Sequence, residues 1–133
     1  MNEETKELIK YRIERAEESL DSARVLFNNG KLYSSLNRIY YAMFYSVIAL
    51  LLTKGLSSSK HSGVMSLFFK EFVNKGYVEK EYGRFFADLF DLRMKSDYKV
   101  PSIISREQVE EWLKKGEEFV NGIERLTLKM IEE

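Results

Sequence analysis

The sequence predicts an all-α protein: an up-and-down bundle of about five helices forming a single domain over residues 1–133. Three observations carry that expectation. The run from Ile39 to Leu52 (IYYAMFYSVIALLL) holds no charge and is bordered by Arg38 and Lys54. As a run it is shorter than the ~20 apolar residues of a membrane span, and it is too apolar for a helix with one solvated face. It therefore reads as a central helix touched by neighbours on most sides. Gly30, Gly55, Gly76 and Pro101 punctuate the chain at the joints between helical patterns. No stretch alternates with period two for long enough to suggest a strand.

The first helix is expected over about Glu3 to Asn28. Asn2 is its N-cap, Glu3 and Glu4 complement the helix dipole, and Asn29-Gly30 supplies the stop. Leu8, Ala16, Ser19, Ala23, Leu26 and Phe27 form its apolar or small stripe. The second helix is expected from Leu32 to Lys54, ending at Gly55. After the polar link SSSK, a short third helix is expected from His61 to Asn74, ending before Gly76. The fourth spans about Glu79 to Tyr98, where Val100-Pro101 closes it. The fifth begins with a capping-box pattern, Ser105 and Gln108, and a hydrophobic staple of Ile104 with Val109. Val109, Trp112, Gly116, Phe119, Ile123, Leu126 and Met130 then recur at steps of three and four, a seam suited to the core or to a partner helix.

Lys and Arg total 21 and so do Asp and Glu, giving a formal charge of zero. A protein that binds nucleic acid mainly through its phosphates carries a basic excess. Any nucleotide contact here is therefore expected to be a local site. Cysteine is absent, which removes disulfides, thiolate metal sites and thiol nucleophiles. The opening MNEETKELIK is acidic and helical without a targeting pattern, so a cytoplasmic protein with no membrane association is expected. Abundant Lys and Glu beside the single Gln108 point to a thermophile.

The fourth helix carries the most suggestive polar residues. Tyr82, Phe86 and Leu89 define a stripe whose continuation reaches Arg93 and then Asp97. An arginine on a core stripe needs a partner, and Asp97 at i+4 is the nearest in sequence. Two readings stand: a half-buried Arg–Asp pair that closes the bundle, or an arginine held by Asp97 and offered to a phosphate. His61, the single histidine, excludes any two-histidine metal site. It opens the third helix, where free N–H groups attract anions and the dipole disfavours the protonated ring. It serves there either as a local packing residue or as part of an anion site. Arg38 adjoins the aromatic run, in which Tyr33, Tyr40, Tyr41 and Phe44 serve mainly as core. The tyrosine hydroxyls need partners, so some of Tyr40, Tyr41 and Tyr98 are expected to reach Arg or Asp groups on a neighbouring helix. There is no phosphate-binding glycine loop, nucleophile elbow or carboxylate set with metal spacing, so no cofactor and no metal is expected.

The run RIYYAMFYSVIALLLTKGL, then KHSGVMSLFFKEFV, Gly83-Arg84 and DLRMKSDY resembles the HEPN domain family, named for higher eukaryotes and prokaryotes nucleotide-binding. It is most similar to a small stand-alone prokaryotic branch with a tyrosine-rich second helix, a His-Ser-Gly start to the third and Arg-x-x-x-Asp-Tyr closing the fourth. The resemblance implies a helical bundle that acts as a homodimer, in many members beside a minimal nucleotidyltransferase, as toxin and antitoxin or as a two-part nucleotide-handling system. Active members are metal-independent endoribonucleases. Their motif arginine, followed four to six positions later by histidine, stabilises phosphate charge while the histidine takes the 2′-hydroxyl proton.

Arg93 matches the motif arginine, Asp97 lies inside the motif, and the histidine position is Tyr98. A phenol with a pKa of about 10 is a poor base at neutral pH. In some family toxins a tyrosine two residues past that histidine accepts a nucleotidyl group; here that position is Val100. The resemblance thus implies a nucleotide-binding protein whose polar cleft holds Arg93, Asp97, Tyr98, Arg38, Tyr41 and His61. The alternatives are an endoribonuclease toxin using Arg93 with His61 or Tyr98, and a non-catalytic interaction module.

Overall fold

The computed structural model describes residues 1–98 and 104–133, the side chains of residues 95–98 excepted. The described chain is a helical bundle without strands. α1 (Glu3–Asn28) is opened by Asn2, whose Oδ1 accepts the Thr5 N–H at 2.8 Å, and is closed by Gly30 at φ 73°. Its buried face is Ile9, Ala16, Ser19, Leu20, Ala23 and Phe27. The expected stripe was therefore off by one position at its start: Leu8 is 42% exposed and Ile9 is 1% exposed. Ile9 stands seven residues before Ala16, two helical turns, so it continues the inward line and Leu8 falls about 100° away from it.

α2 (Leu32–Leu52) stops two residues short of the expected end. The Thr53 and Lys54 N–H groups bond to the Leu50 and Leu51 carbonyls, tightening the last turn before Gly55 adopts φ 69°. The whole helix, at 21 residues, is long and apolar enough to cross a membrane on length and composition, which the shorter uncharged run was not. In the bundle 67% of its most apolar window is buried. Ile39, Tyr40, Ala42, Met43, Val47, Ala49 and Leu50 are each 0% exposed. Near-complete enclosure of one helix requires neighbours on several sides, and α2 packs against α1, α3 (His61–Phe68), α4 (Lys80–Tyr98) and α5 (Arg106–Glu132).

The third segment departs from a plain helix. α3 ends at Phe68 and the chain continues through a π-helical turn, Phe69–Val73, with the Asn74 N–H bonded to the Phe69 carbonyl at 2.8 Å. The wider turn places Glu71 beside Lys54 and Lys75, and Lys54 in turn lies over the Phe72 and Tyr77 rings. α4 passes close to this turn: a Cβ on Gly83 would lie 3.1 Å from Phe69 and Val73 atoms. Its Phe86 and Leu89 are buried as expected. The expected stop at Val100-Pro101 lies outside the described residues.

α5 starts at the expected capping box, with Ser105 and Gln108 bonded reciprocally. Its seam is taken up inside the bundle. Val109, Gly116, Phe119 and Ile123 are buried, and Trp112, Leu126 and Met130 pack against the core from its flanks. Gly116 lets α5 cross α2 closely, since a Cβ there would lie 2.8 Å from Ile39 Cγ2. Phe119 joins Phe68 and Phe86 in a layer with ring centroids 5.6–6.0 Å apart, which ties α3, α4 and α5 beneath the aromatic face of α2.

Candidate functional site

Consecutive tyrosines on a helix point about 100° apart, so Tyr40 and Tyr41 serve different neighbours. Tyr40 is fully buried, and its hydroxyl lies 2.9 Å from His61 Nδ1. Phe44, one turn on, stacks on the His61 ring at 4.1 Å between centroids and 15° between planes. The first residue of α3 is thus gripped by two side chains of α2. Tyr41 turns toward α4, where Arg93 Nη2 donates to its hydroxyl at 2.9 Å. The Arg93 guanidinium carbon lies 5.0 Å from the Tyr41 ring centroid and 5.4 Å from that of Tyr40. Arg38, one turn before Tyr41, sets its own guanidinium 4.8 Å from the Tyr41 ring and donates to Asn37 Oδ1 at 3.0 Å. Among the described residues Arg38 has no carboxylate partner.

The electrostatics follow from burial and from these cations. Burial raises the Tyr40 phenol well above its ordinary value, so it keeps its proton. Burial, and then the charge of Arg93, lowers His61 from 6.5, so the ring is neutral at physiological pH. The sequence anticipated the direction of that shift from the helix dipole; desolvation and Arg93 are what produce it here. The outcome is a half-buried cluster of two guanidinium groups, a neutral imidazole and a half-exposed tyrosine on one side of the bundle. Such a set can bind an anion by charge and by hydrogen bonds at once.

Of the residues the sequence singled out, the fold brings Arg93, Arg38, Tyr41 and His61 together. The side chains of Asp97 and Tyr98 lie outside the described residues, and with them the expected Arg93–Asp97 pair and the Tyr98 hydroxyl contact. Sequence reasoning gave Tyr40 no specific tie to His61. The i, i+4 spacing of Tyr40 and Phe44 was the available signal, since two rings one turn apart make a wall for a third. Tyr45 was also passed over. It adjoins Tyr41 at 5.8 Å and has the Arg15 guanidinium carbon 5.2 Å from its ring, so it extends the cationic face toward α1.

Fold and cluster together define a small all-α bundle protein with a cationic, tyrosine-lined site between its second, third and fourth helices. The HEPN domain model matches residues 9–126, and the chain belongs to the HEPN family. A UPF0332 protein of Thermotoga maritima is 49% identical over 126 residues, covering 95% of both chains. A protein of Methanocaldococcus jannaschii named as a candidate toxin is 41% identical, covering 94% of this chain and 92% of its own. A second candidate toxin of the same organism is 39% identical, covering 82% and 74%.

Proposed function

We propose that this HEPN protein binds the phosphate of a nucleotide, or of an RNA end, at the cluster of Arg93, Arg38, Tyr41 and His61, and that it works as a homodimer beside a minimal nucleotidyltransferase. The observation that carries the reading is Arg93. Its guanidinium is oriented by the Tyr41 hydroxyl at 2.9 Å, beside a second guanidinium that has no carboxylate partner among the described residues. The planar donors of such guanidinium groups match the oxygens of a phosphate. Asp97 and Tyr98 enter the reading from the family pattern. The homodimer and the nucleotidyltransferase also come from the family pattern, because the α5 seam that first suggested a partner packs inside the bundle.

Isothermal calorimetry with 5′-AMP and ATP tests the site. Arg93→Ala should weaken binding by about tenfold or more, the loss expected for a charge-assisted hydrogen bond. Wild-type protein that binds neither nucleotide, or an Arg93→Ala protein that binds equally, would refute the reading and leave an interaction module. Co-expression with the neighbouring open reading frame, followed by mass determination of the complex, tests the partner.

One observation favours a second reading, an endoribonuclease toxin. Arg93 and His61 come from different helices yet meet the same pair of tyrosines, so the two residue types that active members combine lie at one tyrosine pair. RNA incubated with the protein in chelator should then yield 2′,3′-cyclic phosphate ends. Intact RNA excludes it.

A further inference from the structure

The hydroxyl of Tyr40 has one hydrogen to place. The residue is 0% exposed, so water cannot take that hydrogen, and among the described residues its single hydrogen-bond partner is His61 Nδ1 at 2.9 Å. A buried hydroxyl without an acceptor costs about 1–3 kcal/mol. Were Nδ1 protonated, two hydrogens would face each other across that contact or the phenol would lose its acceptor. We infer that Tyr40 is a positioning residue that fixes His61 as the Nε2–H tautomer, making His61 a neutral hydrogen-bond donor to a phosphoryl oxygen and not a proton acceptor.

This inference rests on the phosphate-site reading and sharpens it. Stacking on Phe44 at 4.1 Å and 15° stops the imidazole from turning over to exchange its nitrogens. Nε2 has no partner among the described residues, so its hydrogen remains for a ligand. The neutrality of the ring agrees, since burial and Arg93 both oppose a second proton. A phosphoryl oxygen only accepts hydrogen bonds, so it matches Nε2–H. A ribose 2′-hydroxyl that must lose its proton finds no lone pair at Nε2 in this tautomer. The lock therefore favours holding a phosphate over cutting RNA.

The chain has a single histidine, so a long-range proton–nitrogen NMR spectrum of ¹⁵N-labelled protein contains one imidazole system. Near neutral pH, Nδ1 should resonate as a bare acceptor and Nε2 as a protonated nitrogen, and 5′-AMP should move the Nε2–H signal. Tyr40→Phe, which keeps the ring and removes the hydroxyl, should give a tautomer mixture and weaken 5′-AMP binding by about three- to tenfold. His61→Gln, whose amide N–H reaches the Nε2 position, should bind within about threefold of wild type, whereas His61→Ala should lose about tenfold. A protonated Nδ1 in the wild-type protein overturns the inference, as does an unchanged imidazole spectrum in Tyr40→Phe. If Nδ1 is protonated while 5′-AMP still binds through Arg93, the tautomer assignment fails and the phosphate site stands. If the Nε2–H tautomer is seen but neither 5′-AMP nor inorganic phosphate perturbs it, the phosphate site fails and takes the donor role with it.

Discussion

The same substitution at two glycines of α5 should change stability in opposite directions. In a helix interior, Gly→Ala gains about 1 kcal/mol from backbone entropy and propensity alone. At Gly122 the nearest atom to an added Cβ is Arg125 Nη2, at 3.9 Å, an ordinary contact with the mobile end of a long side chain. Gly122→Ala should therefore deliver that gain, about 1 kcal/mol of added stability. At Gly116 the added Cβ would lie 2.8 Å from Ile39 Cγ2. That methyl branches from Cβ on a β-branched residue with little χ1 freedom, and Ile39 is 0% exposed on the helix that packs against all the others. Neither it nor α2 can yield easily, and overpacking of this kind costs about 1–3 kcal/mol. Taking about 2–3 for so tight a contact and offsetting about 1 from propensity, Gly116→Ala should destabilise by about 1–2 kcal/mol. Urea unfolding followed by far-UV circular dichroism, with m-values unchanged, measures both variants. Ile39→Leu removes the branch at Cβ, so in a double-mutant cycle it should recover part of the Gly116→Ala loss. If both alanine variants gain stability equally, the close crossing of α5 over α2 is wrong, and so is the placement of the helix that presents Tyr40 and Tyr41.

Other consequences can be checked with the same unfolding assay. Glu124 on α5 is pushed above 4.5 by burial and by Glu17 on α1; a raised carboxylate contributes stability that is lost as pH rises through its folded value. Glu124→Gln should therefore stabilise by about 0.5 kcal/mol at pH 7 and by nothing measurable at pH 4. His61 is lowered from 6.5, so its contribution is complete above pH 6.5 and is lost as pH falls through the lower folded value. The difference between wild type and His61→Gln should shrink across that window, and a difference flat with pH would refute the shift. A Cβ on Gly63 would collide with Ser58 Oγ, which accepts the Lys60 N–H at 3.2 Å just before α3. Offsetting about 1 kcal/mol of helix propensity, Gly63→Ala should destabilise by about 1 kcal/mol, and in a Ser58→Gly background it should become stabilising.

The fold was legible because its signals were local. Asn2, Gly30, Gly55 and the Ser105–Gln108 box each act on the residues beside them, so they mark joints wherever the helices later pack. The errors arose where tertiary packing chose between local equivalents. Leu8 and Ile9 are both apolar neighbours on α1, and only the direction of α2 decides which of them is inward. The π-turn at Phe69–Val73 has no composition signal either. Its sequence continues a normal amphipathic pattern, and what accompanies the wider turn, Glu71 beside Lys54 and Lys75 and the close pass of Gly83, is set by the fold and not by the local sequence. The α5 seam had the opposite ambiguity, since a heptad-like stripe serves a core as well as a second copy, and the bundle absorbs it.

The site was legible as an inventory but not as an arrangement. Arg93, Arg38, Tyr41 and His61 could each be named from the sequence, yet their assembly depends on contacts that residue spacing does not encode. The family pattern directed attention to the position five residues after Arg93, occupied by Tyr98, because a histidine on the same helix would meet the arginine through local geometry alone. His61 lies on another helix, far back in the chain, and reaches the cluster only because Tyr40 and Phe44 hold its ring while Tyr41 orients Arg93. The adjacent tyrosines of RIYY thus connect α3 and α4 through one turn of α2. That division also explains why a buried Tyr40 and a half-exposed Tyr41 belong together. A ring sealed in the core can fix a tautomer because no water competes for its hydroxyl, whereas a ring at the surface can hold a guanidinium in place without hiding it from a ligand.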